Sequence, residues 1–188
     1  MPSVPWQPSP SSPGSPLFLR TCDGGASWIA VEAPGSRSGL YEPLLTLGPQ
    51  AALLGGRSLQ RTLDGGATWQ TLSDQAVAAT DGRYVVARLV DGLQVGRIEG
   101  DAVIWGARHQ AEVLPAAIAS SGDSLTILAV HTGSRAGRGL LLLRSDDGGA
   151  TLTAKRSGLH SNPAYVGLAG PSRIVRVDLA RRVGVQEL

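Results

Sequence analysis

The sequence predicts an all-β protein assembled from a repeated four-stranded unit, and three observations support this prediction. The composition is rich in turn-forming residues, with 25 Gly and 12 Pro among 188 residues. One motif recurs three times, and the spacing of its copies matches the length of such a unit. Lys155 is the only lysine, and this scarcity of a strong helix former also agrees with a chain built from strands.

The recurring motif has the form apolar-x-Arg-Thr/Ser-x-Asp-Gly-Gly-Ala-Ser/Thr-Trp/Leu. Its copies are LFLRTCDGGASWIAV at 17–31, SLQRTLDGGATWQTL at 58–72 and LLLRSDDGGATLTAK at 141–155. Each copy lies between two short apolar runs of alternating character, so each is predicted to be a hairpin connection. The paired glycines permit the positive φ that a tight reversal needs. We call their central segments, 21–28, 62–69 and 145–152, the first, second and third Gly-Gly turns.

The spacing of the motif gives the size of the repeat. Asp64 follows Asp23 by 41 residues, and Asp147 follows Asp64 by 83 residues. A repeat of 40–45 residues is typical of one four-stranded propeller blade. The doubled second interval predicts a degenerate copy, which RIEGDAVIW at 97–105 supplies: it keeps an Arg and a Trp at the motif positions but lacks the Asp and the paired Gly.

This motif resembles the Asp-box, or BNR repeat, of sialidases, sortilin-type receptors and photosystem assembly propellers, whose pattern is Ser/Thr-x-Asp-x-Gly-x-Ser/Thr-Trp/Phe. The first two copies match the pattern throughout, whereas the third has Leu152 where an aromatic residue is expected. The resemblance implies a β-propeller whose boxes lie on the face away from the active site. The matching residues are Thr21, Asp23, Gly25, Ser27, Trp28, Thr62, Asp64, Gly66, Thr68, Trp69, Ser145, Asp147, Gly149 and Thr151.

A structural role is predicted for the aspartates of these turns, rather than catalysis or metal binding. An aspartate in such a turn can accept backbone N–H bonds, and so can the Ser and Thr hydroxyls. Trp28 and Trp69 are predicted to open the next strand and to bury a large apolar area. The three histidines of the chain lack the spacing of metal ligands, so we predict no metal and no cofactor.

The repeat length allows the strands to be placed along the chain. The predicted strands are 17–21, 28–32, 43–47, 51–54, 58–62, 69–72, 76–80, 84–90, 93–98, 103–107, 115–119, 124–131, 139–144, 152–156, 164–168, 173–178 and 183–187. They form about four antiparallel blades, which are either closed by pairing between N- and C-terminal strands or left as a partial propeller. Residues 1–16 are predicted to be a Pro/Ser-rich arm or linker, and 17–188 the propeller domain.

Composition excludes several partner classes. The net charge is +2, and the basic residues are scattered with no run longer than a pair, which argues against nucleic acid. No apolar run approaches the roughly 20 residues of a membrane-spanning helix. Cys22 is the only cysteine, so no internal disulfide can form. The start of the chain lacks the pattern of a signal peptide, and an extracytoplasmic or secreted location is a tendency of the resembled family only.

Strand polarity divides the loops between two faces. The Gly-Gly turns share one face with the turns between the first and second strands of each blade. The turns between second and third strands share the other face with the crossovers between blades, and we predict that this second face binds ligands. Its candidate residues are Arg37, Tyr41, Glu42, Arg57, Arg108, His109, His131, Arg135, Arg138, His160 and Tyr165.

Three functions remain open from the sequence. The first is a non-catalytic binding or assembly scaffold for a protein or carbohydrate partner. The second is a sialidase-like glycoside hydrolase, in which the resemblance would imply an arginine triad from Arg57, Arg108 and Arg138 with Tyr41 and Glu42 as a nucleophile pair. The Phe/Tyr-Arg-Ile-Pro motif of catalytic sialidases is absent, so the sequence favours a non-catalytic role over this one. The third is a structural subunit of a larger assembly that completes the propeller.

Overall fold

The protein is described by a computed structural model over residues 17–32, 43–131, 140–156, 165–177 and 183–187. Every regular element in these ranges is a β-strand, and all strand pairs are antiparallel. The strands form three central sheets of four strands, a two-stranded sheet at the N-terminal side and a three-stranded sheet at the C-terminal side. The predicted all-β fold is therefore confirmed, and the sheets are the blades of a β-propeller of about four blades.

The strands follow one another in chain order within each sheet. The N-terminal hairpin contains β1 (Leu17–Arg20) and β2 (Ile29–Glu32). Blade 2 contains β3 (Leu44–Thr46), β4 (Ala52–Leu54), β5 (Leu59–Thr62) and β6 (Gln70–Ser73). Blade 3 contains β7 (Val77–Thr80), β8 (Tyr84–Arg88), β9 (Gly92–Glu99) and β10 (Ala102–Gln110). Blade 4 contains β11 (Val113–Ser121), β12 (Ser124–His131), β13 (Leu140–Ser145) and β14 (Thr153–Arg156), and the C-terminal sheet contains β15 (Tyr165–Leu168), β16 (Arg173–Val177) and β17 (Val183–Glu187).

The predicted strand positions agree with these bounds, except that β10 and β11 are longer than expected. Both strands contain a register shift, between Trp105 and Arg108 in β10 and between Pro115 and Ala117 in β11. A bulge of this kind bends a strand locally and lets its pairing continue. Proline is tolerated in β11 because this strand lies at the edge of its sheet.

The degenerate motif copy forms a hairpin without the Gly-Gly turn chemistry. Glu99 pairs with Ala102 across a tight turn, in which Gly100 has a φ of 57°. The tryptophan of this copy, Trp105, packs with the partly buried Ile98 against the apolar cluster between blades 2 and 3. The turn chemistry is thus lost while the packing residue is kept, as the sequence predicted.

The hydrophobic core lies between neighbouring blades. One cluster joins blades 3 and 4, with Tyr84 and Val95 packed against Ile127. A second joins blades 2 and 3 through Leu59 and Val85, and a third joins blade 4 to the C-terminal sheet. Each fully buried side chain of this size contributes about 1.5–3 kcal/mol to stability. The N-terminal hairpin differs, because none of its described side chains is fully buried.

The prediction that both tryptophans are buried is wrong for Trp28 and holds only in part for Trp69. Trp28 is 57% exposed, and Trp69 is only half-buried. Both residues lie directly before the outermost strand of a sheet, Trp28 before β2 and Trp69 before β6. The indole N–H of Trp69 donates to the backbone oxygen of Glu32 in the N-terminal hairpin at 3.1 Å. The indole N–H of Trp28 donates instead to the oxygen of Gly25 in its own turn, also at 3.1 Å.

The two chain ends form separate sheets in the part of the chain that the structure describes. β1 pairs with β2, and β15, β16 and β17 pair among themselves, without a ladder between the two groups. Closure by strand pairing, one of the two predicted alternatives, is therefore not seen among these strands.

The second glycine of a Gly-Gly turn packs against the preceding sheet. Gly66 has a φ of 93°, and a Cβ at this position would lie 2.2 Å from Cγ1 of Val31. Gly149 has a φ of 91°, and its Cβ would lie 2.6 Å from Cγ1 of Val95. Each of these positions therefore requires glycine for two reasons: the positive φ of the backbone and the close approach of the neighbouring sheet.

We predict that Gly66→Ala destabilises the protein more than Gly100→Ala. Both residues have positive φ, but a Cβ at Gly100 meets nothing within 4 Å among the described residues. Backbone strain alone should lower the free energy of unfolding by about 1 kcal/mol at Gly100. Strain together with the clash against Val31 should lower it by about 3 kcal/mol at Gly66. Urea unfolding of the two variants measures the difference, and equal losses would contradict the close contact.

Candidate functional site

The Gly-Gly turns share one hydrogen-bond network, which the second turn illustrates. The Thr62 hydroxyl donates to Oδ1 of Asp64 at 2.9 Å, and the backbone N–H of Gly66 donates to that hydroxyl oxygen at 2.7 Å. The backbone N–H of Thr68 donates to Oδ1 of Asp64 at 2.9 Å, while its hydroxyl donates to Oδ2 at 2.6 Å. The same bonds recur in the first and third turns.

This network occupies both oxygens of each aspartate and favours the ionised carboxylate. The hydroxyl and N–H of Thr68, with the Thr62 hydroxyl, lower the pKa of Asp64 from 3.8 to about 2. The pKa of Asp147 is lowered to about 2 in the same way, chiefly by the backbone N–H of Thr151. Contacts with Ser27 hold the pKa of Asp23 far below its usual range. A carboxylate in this state cannot donate a proton near neutral pH, so the geometry agrees with a structural role for the turns.

The motif arginines of the first two copies, Arg20 and Arg61, each join one sheet to the next, a role that sequence reasoning missed. Arg20 donates to the backbone oxygen of Gly65 at 3.2 Å and to Oε1 of Gln50 at 3.0 Å, both in blade 2. Arg61 donates to the oxygen of Gly100 at 2.8 Å and forms an ion pair with Asp101, both in blade 3. The available signal was an arginine at one position in all copies, although Arg97 of the degenerate copy bonds to Glu99 in its own hairpin instead.

The hydrogen bonds between loops agree with the predicted division into two faces. On the face of the Gly-Gly turns, Gly65 donates to the oxygen of Gln50 at 2.7 Å, and Gly148 to the oxygen of Asp123 at 2.8 Å. On the opposite face, the turn between β8 and β9 meets the crossover after β10, where Ala111 donates to the oxygen of Asp91 at 3.2 Å. Loops that were assigned to the same face are therefore in contact with each other.

The predicted ligand-binding residues divide into two groups. Arg57 and Arg108 are exposed, whereas His109 and His131 are half-buried. Tyr165 begins β15. The remaining candidates lie outside the described residues: Arg37, Tyr41, Glu42, Arg135, Arg138 and His160. The arginine triad and the Tyr–Glu pair of the hydrolase hypothesis therefore stay predictions.

Two of the candidates, Arg108 and His109, line a cleft of about 610 Å³ between blades 3 and 4. We call it the blade 3–4 cleft. Its apolar lining is supplied by β9, β13 and β14 and by neighbouring residues, whereas Arg108, Asp91 and Gln110 contribute polar groups. The complete described lining is Leu89, Asp91, Leu93, Arg108, His109, Gln110, Ala111, Leu143, Leu152 and Ala154. Sequence reasoning missed the leucines, because a leucine within a strand has the same pattern whether it faces a core or a cleft.

His109 also joins the two blades that form the cleft. Its Nε2 lies 2.8 Å from the backbone oxygen of Gly149 in the third Gly-Gly turn. At the matching place between the N-terminal hairpin and blade 2, the indole of Trp69 reaches back to Glu32. The third turn has Leu152 in place of that tryptophan. Here the contact runs in the opposite direction, because the imidazole of His109 in blade 3 bonds to the turn of blade 4. His109 is thus engaged in an inter-blade bond and borders the cleft at the same time.

The described residues give no indication of a metal site. Within these ranges, no three His, Cys, Asp or Glu side chains are grouped so that they could hold a metal ion. Over the same ranges, no helix is long and apolar enough to cross a membrane.

Comparison with known proteins reveals similarity at the level of structure only. No protein-family model matches the chain, and no curated protein matches its sequence. The structure is similar to that of YCF48 from Cyanidioschyzon merolae, with a TM-score of 0.49 and 17% identity over 86% of this chain and 71% of that chain. It is also similar to YCF48 bound to D1 peptide, with a TM-score of 0.46 and 17% identity over 86% of this chain and 68% of that chain. Similarity at this level assigns neither a family nor a function.

The aspartates of the Gly-Gly turns should make the protein sensitive to acid. A carboxylate with a folded pKa of about 2 contributes stability fully above its ordinary value of 3.8 and loses it as the pH falls through about 2. We therefore predict that wild-type stability decreases between about pH 4 and about pH 2. Asp64→Asn should lower the urea midpoint at neutral pH and flatten this decrease.

The matched control is Asp74→Asn, which changes an exposed aspartate outside the Gly-Gly turns. Its urea midpoint should follow that of the wild type across the whole pH range. An Asp64→Asn variant with the wild-type acid profile would contradict the role of the network.

Proposed function

We propose that the chain is a non-catalytic propeller that acts as a scaffold by binding an extended segment of a protein partner in the blade 3–4 cleft. The Gly-Gly turns serve as its Asp-boxes, which hold the blades in position. The observation that carries this proposal is the combination of an apolar lining with a few polar groups, which is typical of a recognition site.

The dimensions and lining of the cleft suit side chains of a bound peptide. Its volume of about 610 Å³ lies within the range of ligand pockets. Leu93 and Leu143 are buried, and Leu152 is half-buried, so an apolar side chain entering here would leave water for an apolar surface. Arg108 and Asp91 supply one charge of each sign for orienting the bound segment.

The walls of the cleft are held in place before a ligand arrives. They belong to two blades joined by the bond between His109 and Gly149 and by the apolar cluster that contains Val95 and Leu143. A preformed site loses little conformational entropy on binding, because few side chains have to be ordered. This favours recognition by a rigid surface over recognition by a mobile loop.

No specific observation favours the hydrolase alternative. Most glycoside hydrolases need two carboxyl groups on either side of the scissile bond, whereas a sialidase-like enzyme needs a tyrosine nucleophile and an acid/base carboxylate beside clustered arginines. Among the described residues that line the cleft, Asp91 is the one carboxylate. The aspartates of the Gly-Gly turns are engaged by their own networks. A carbohydrate partner is the other ligand class, and it is tested in the same experiment as the peptide.

The experiment compares selection of displayed peptides and glycans by three proteins. Wild type should select peptides with an apolar residue that enters the cleft. Leu152→Arg, which puts a charge among the lining leucines, should weaken binding of the selected peptides at least about tenfold. The control Ile104→Arg changes a residue of β10 that is 56% exposed and does not line the cleft, and it should bind within about twofold of wild type.

A charge reversal tests the direction of recognition. Arg108→Glu should shift selection from peptides with an acidic residue beside the apolar one to peptides with a basic residue there. Selection of glycans alone, or equal binding by Leu152→Arg and Ile104→Arg, would contradict the proposal.

A further inference from the structure

The chain contains five aspartates that are directly followed by glycine: Asp23, Asp64, Asp81, Asp91 and Asp147. Such a pair can rearrange without an enzyme, because the backbone nitrogen of the glycine can attack the side-chain carboxyl carbon of the aspartate. Glycine favours this reaction, since it has no Cβ to shield its nitrogen and its backbone is free to adopt many conformations. The surroundings of each pair in the folded protein therefore decide which of them can react.

Four of the five carboxylates are held by hydrogen bonds. In the three Gly-Gly turns, the carboxylate accepts bonds from two Ser/Thr hydroxyls and from a backbone N–H. In the turn after β7, Oδ1 of Asp81 accepts from the backbone N–H groups of Arg83 at 3.0 Å and Tyr84 at 2.8 Å. A carboxylate held in this way cannot turn towards the nitrogen that follows it without losing hydrogen bonds.

The second and third Gly-Gly turns are protected in two further ways. The N–H of Gly65 donates to the oxygen of Gln50 at 2.7 Å, and that of Gly148 donates to the oxygen of Asp123 at 2.8 Å, so the attacking nitrogen is also engaged. The pKa of Asp64 is lowered to about 2, chiefly by the hydroxyl of its own turn, and the group stays ionised. Ring closure expels a carboxyl oxygen as water, which is easier from the protonated acid.

Asp91 is the exception. It is exposed, and its carboxylate has no hydrogen bond or ion pair among the described residues. It lies in the turn between β8 and β9, next to the fully exposed Val90. The bonds from Leu89 and Ala111 that hold this turn end on the backbone oxygens of Gly92 and Asp91, which are not the reacting atoms. Glycine is required after Asp91, because a Cβ on Gly92 would collide with the backbone oxygen of the residue before Gln110.

We propose that Asp91–Gly92 is a site of spontaneous isoaspartate formation in the folded protein. The nitrogen of Gly92 bonds to Cγ of Asp91, and its proton leaves with the hydroxyl of the carboxyl group as water. The resulting succinimide ring takes up one water, either at Cγ, which restores aspartate, or at the α-carbonyl carbon, which gives isoaspartate. One water leaves and one returns, so the reaction needs no oxidant and no further reactant.

The rearrangement changes the blade 3–4 cleft, in which Asp91 is the one carboxylate among the described lining residues. In isoaspartate the backbone runs through Cβ and Cγ, so the turn gains one backbone atom, and the free carboxylate is the former α-carboxyl group. The wall of the cleft and the position of its negative charge therefore change together. The effect on ligand binding rests on the proposed function, whereas the modification itself does not.

The test incubates the full folded chain for weeks at physiological temperature and mildly acidic pH. Mass spectrometry with electron-based fragmentation locates isoaspartate, and methyl transfer from S-adenosylmethionine by a protein isoaspartate methyltransferase measures its amount. Asp91 should carry at least about tenfold more isoaspartate than any of the other four sites, because two or more hydrogen bonds must break there before the ring closes. Asp91→Glu should carry none at this position, because glutamate would have to form a larger ring.

The urea-unfolded chain is the matched control, because all five pairs keep their sequence neighbours there but lose their hydrogen bonds. In this state the five sites should accumulate isoaspartate at similar rates. A folded chain in which Asp91 stays unmodified, or in which Asp64 reacts as fast as Asp91, would overturn the proposal. It would equally be overturned if the unfolded chain reacted at Asp91 alone, since the sequence rather than the fold would then select the site.

Peptide binding distinguishes a failure of this proposal from a failure of the proposed function. Incubated wild type should bind the peptides selected by fresh wild type more weakly, in proportion to its isoaspartate content. Incubated Asp91→Glu should bind as fresh Asp91→Glu does. Isoaspartate at position 91 with unchanged binding would contradict the assignment of the peptide to the cleft, and it would confirm the modification site.

Discussion

The contact between a Gly-Gly turn and the sheet before it is the interaction on which the blade arrangement depends. The hydrogen bonds around Asp64 pair backbone N–H groups of the turn with side chains of the same turn. They hold the backbone of the two glycines in one conformation. That conformation leaves the oxygen of Gly65 free to accept from Arg20 and brings the Cα of Gly66 against Val31. A segment of eight residues therefore closes a hairpin and joins two sheets at once.

Blades 3 and 4 reveal how this contact changes when part of the motif is absent. Blade 3 has the short Gly100–Asp101 turn, which still accepts a hydrogen bond and forms an ion pair with Arg61. Its tryptophan, Trp105, packs against the apolar cluster between blades 2 and 3. Blade 4 keeps the turn but lacks the tryptophan, and His109 of blade 3 makes the crossing bond. In both cases a contact between adjacent sheets persists while the groups that form it differ.

The sequence was sufficient for the strands and turns, because these depend on local signals. Alternating apolar runs, paired glycines and a repeat of about 41 residues gave the order of the sheets. The burial of Trp28 and Trp69 could not be obtained in this way, because it depends on which sheet lies beside each residue. The reach of Arg20 to Gly65 crosses 45 residues and was missed for the same reason.

The candidate site was predictable in part. Polar residues in loops of one face indicated Arg108 and His109, and both line the cleft. The leucines beside them had the pattern of core residues, and nothing local marks Leu143 or Leu152 as lining a cleft. The bond from His109 to Gly149 also could not be foreseen, because it depends on the loss of a tryptophan in a different blade.

The inter-sheet hydrogen bonds described above all join sheets that are adjacent in the chain. Stability in such an architecture is approximately a sum of local units and their nearest-neighbour contacts, so it need not be uniform along the molecule. The N-terminal hairpin has one such neighbour in the described chain and no fully buried side chain, whereas blade 3 has a neighbour on each side and a core on both faces. Amide hydrogens should therefore exchange fastest in β1 and β2 and slowest in β8, which gives the molecule a fraying end and a protected centre.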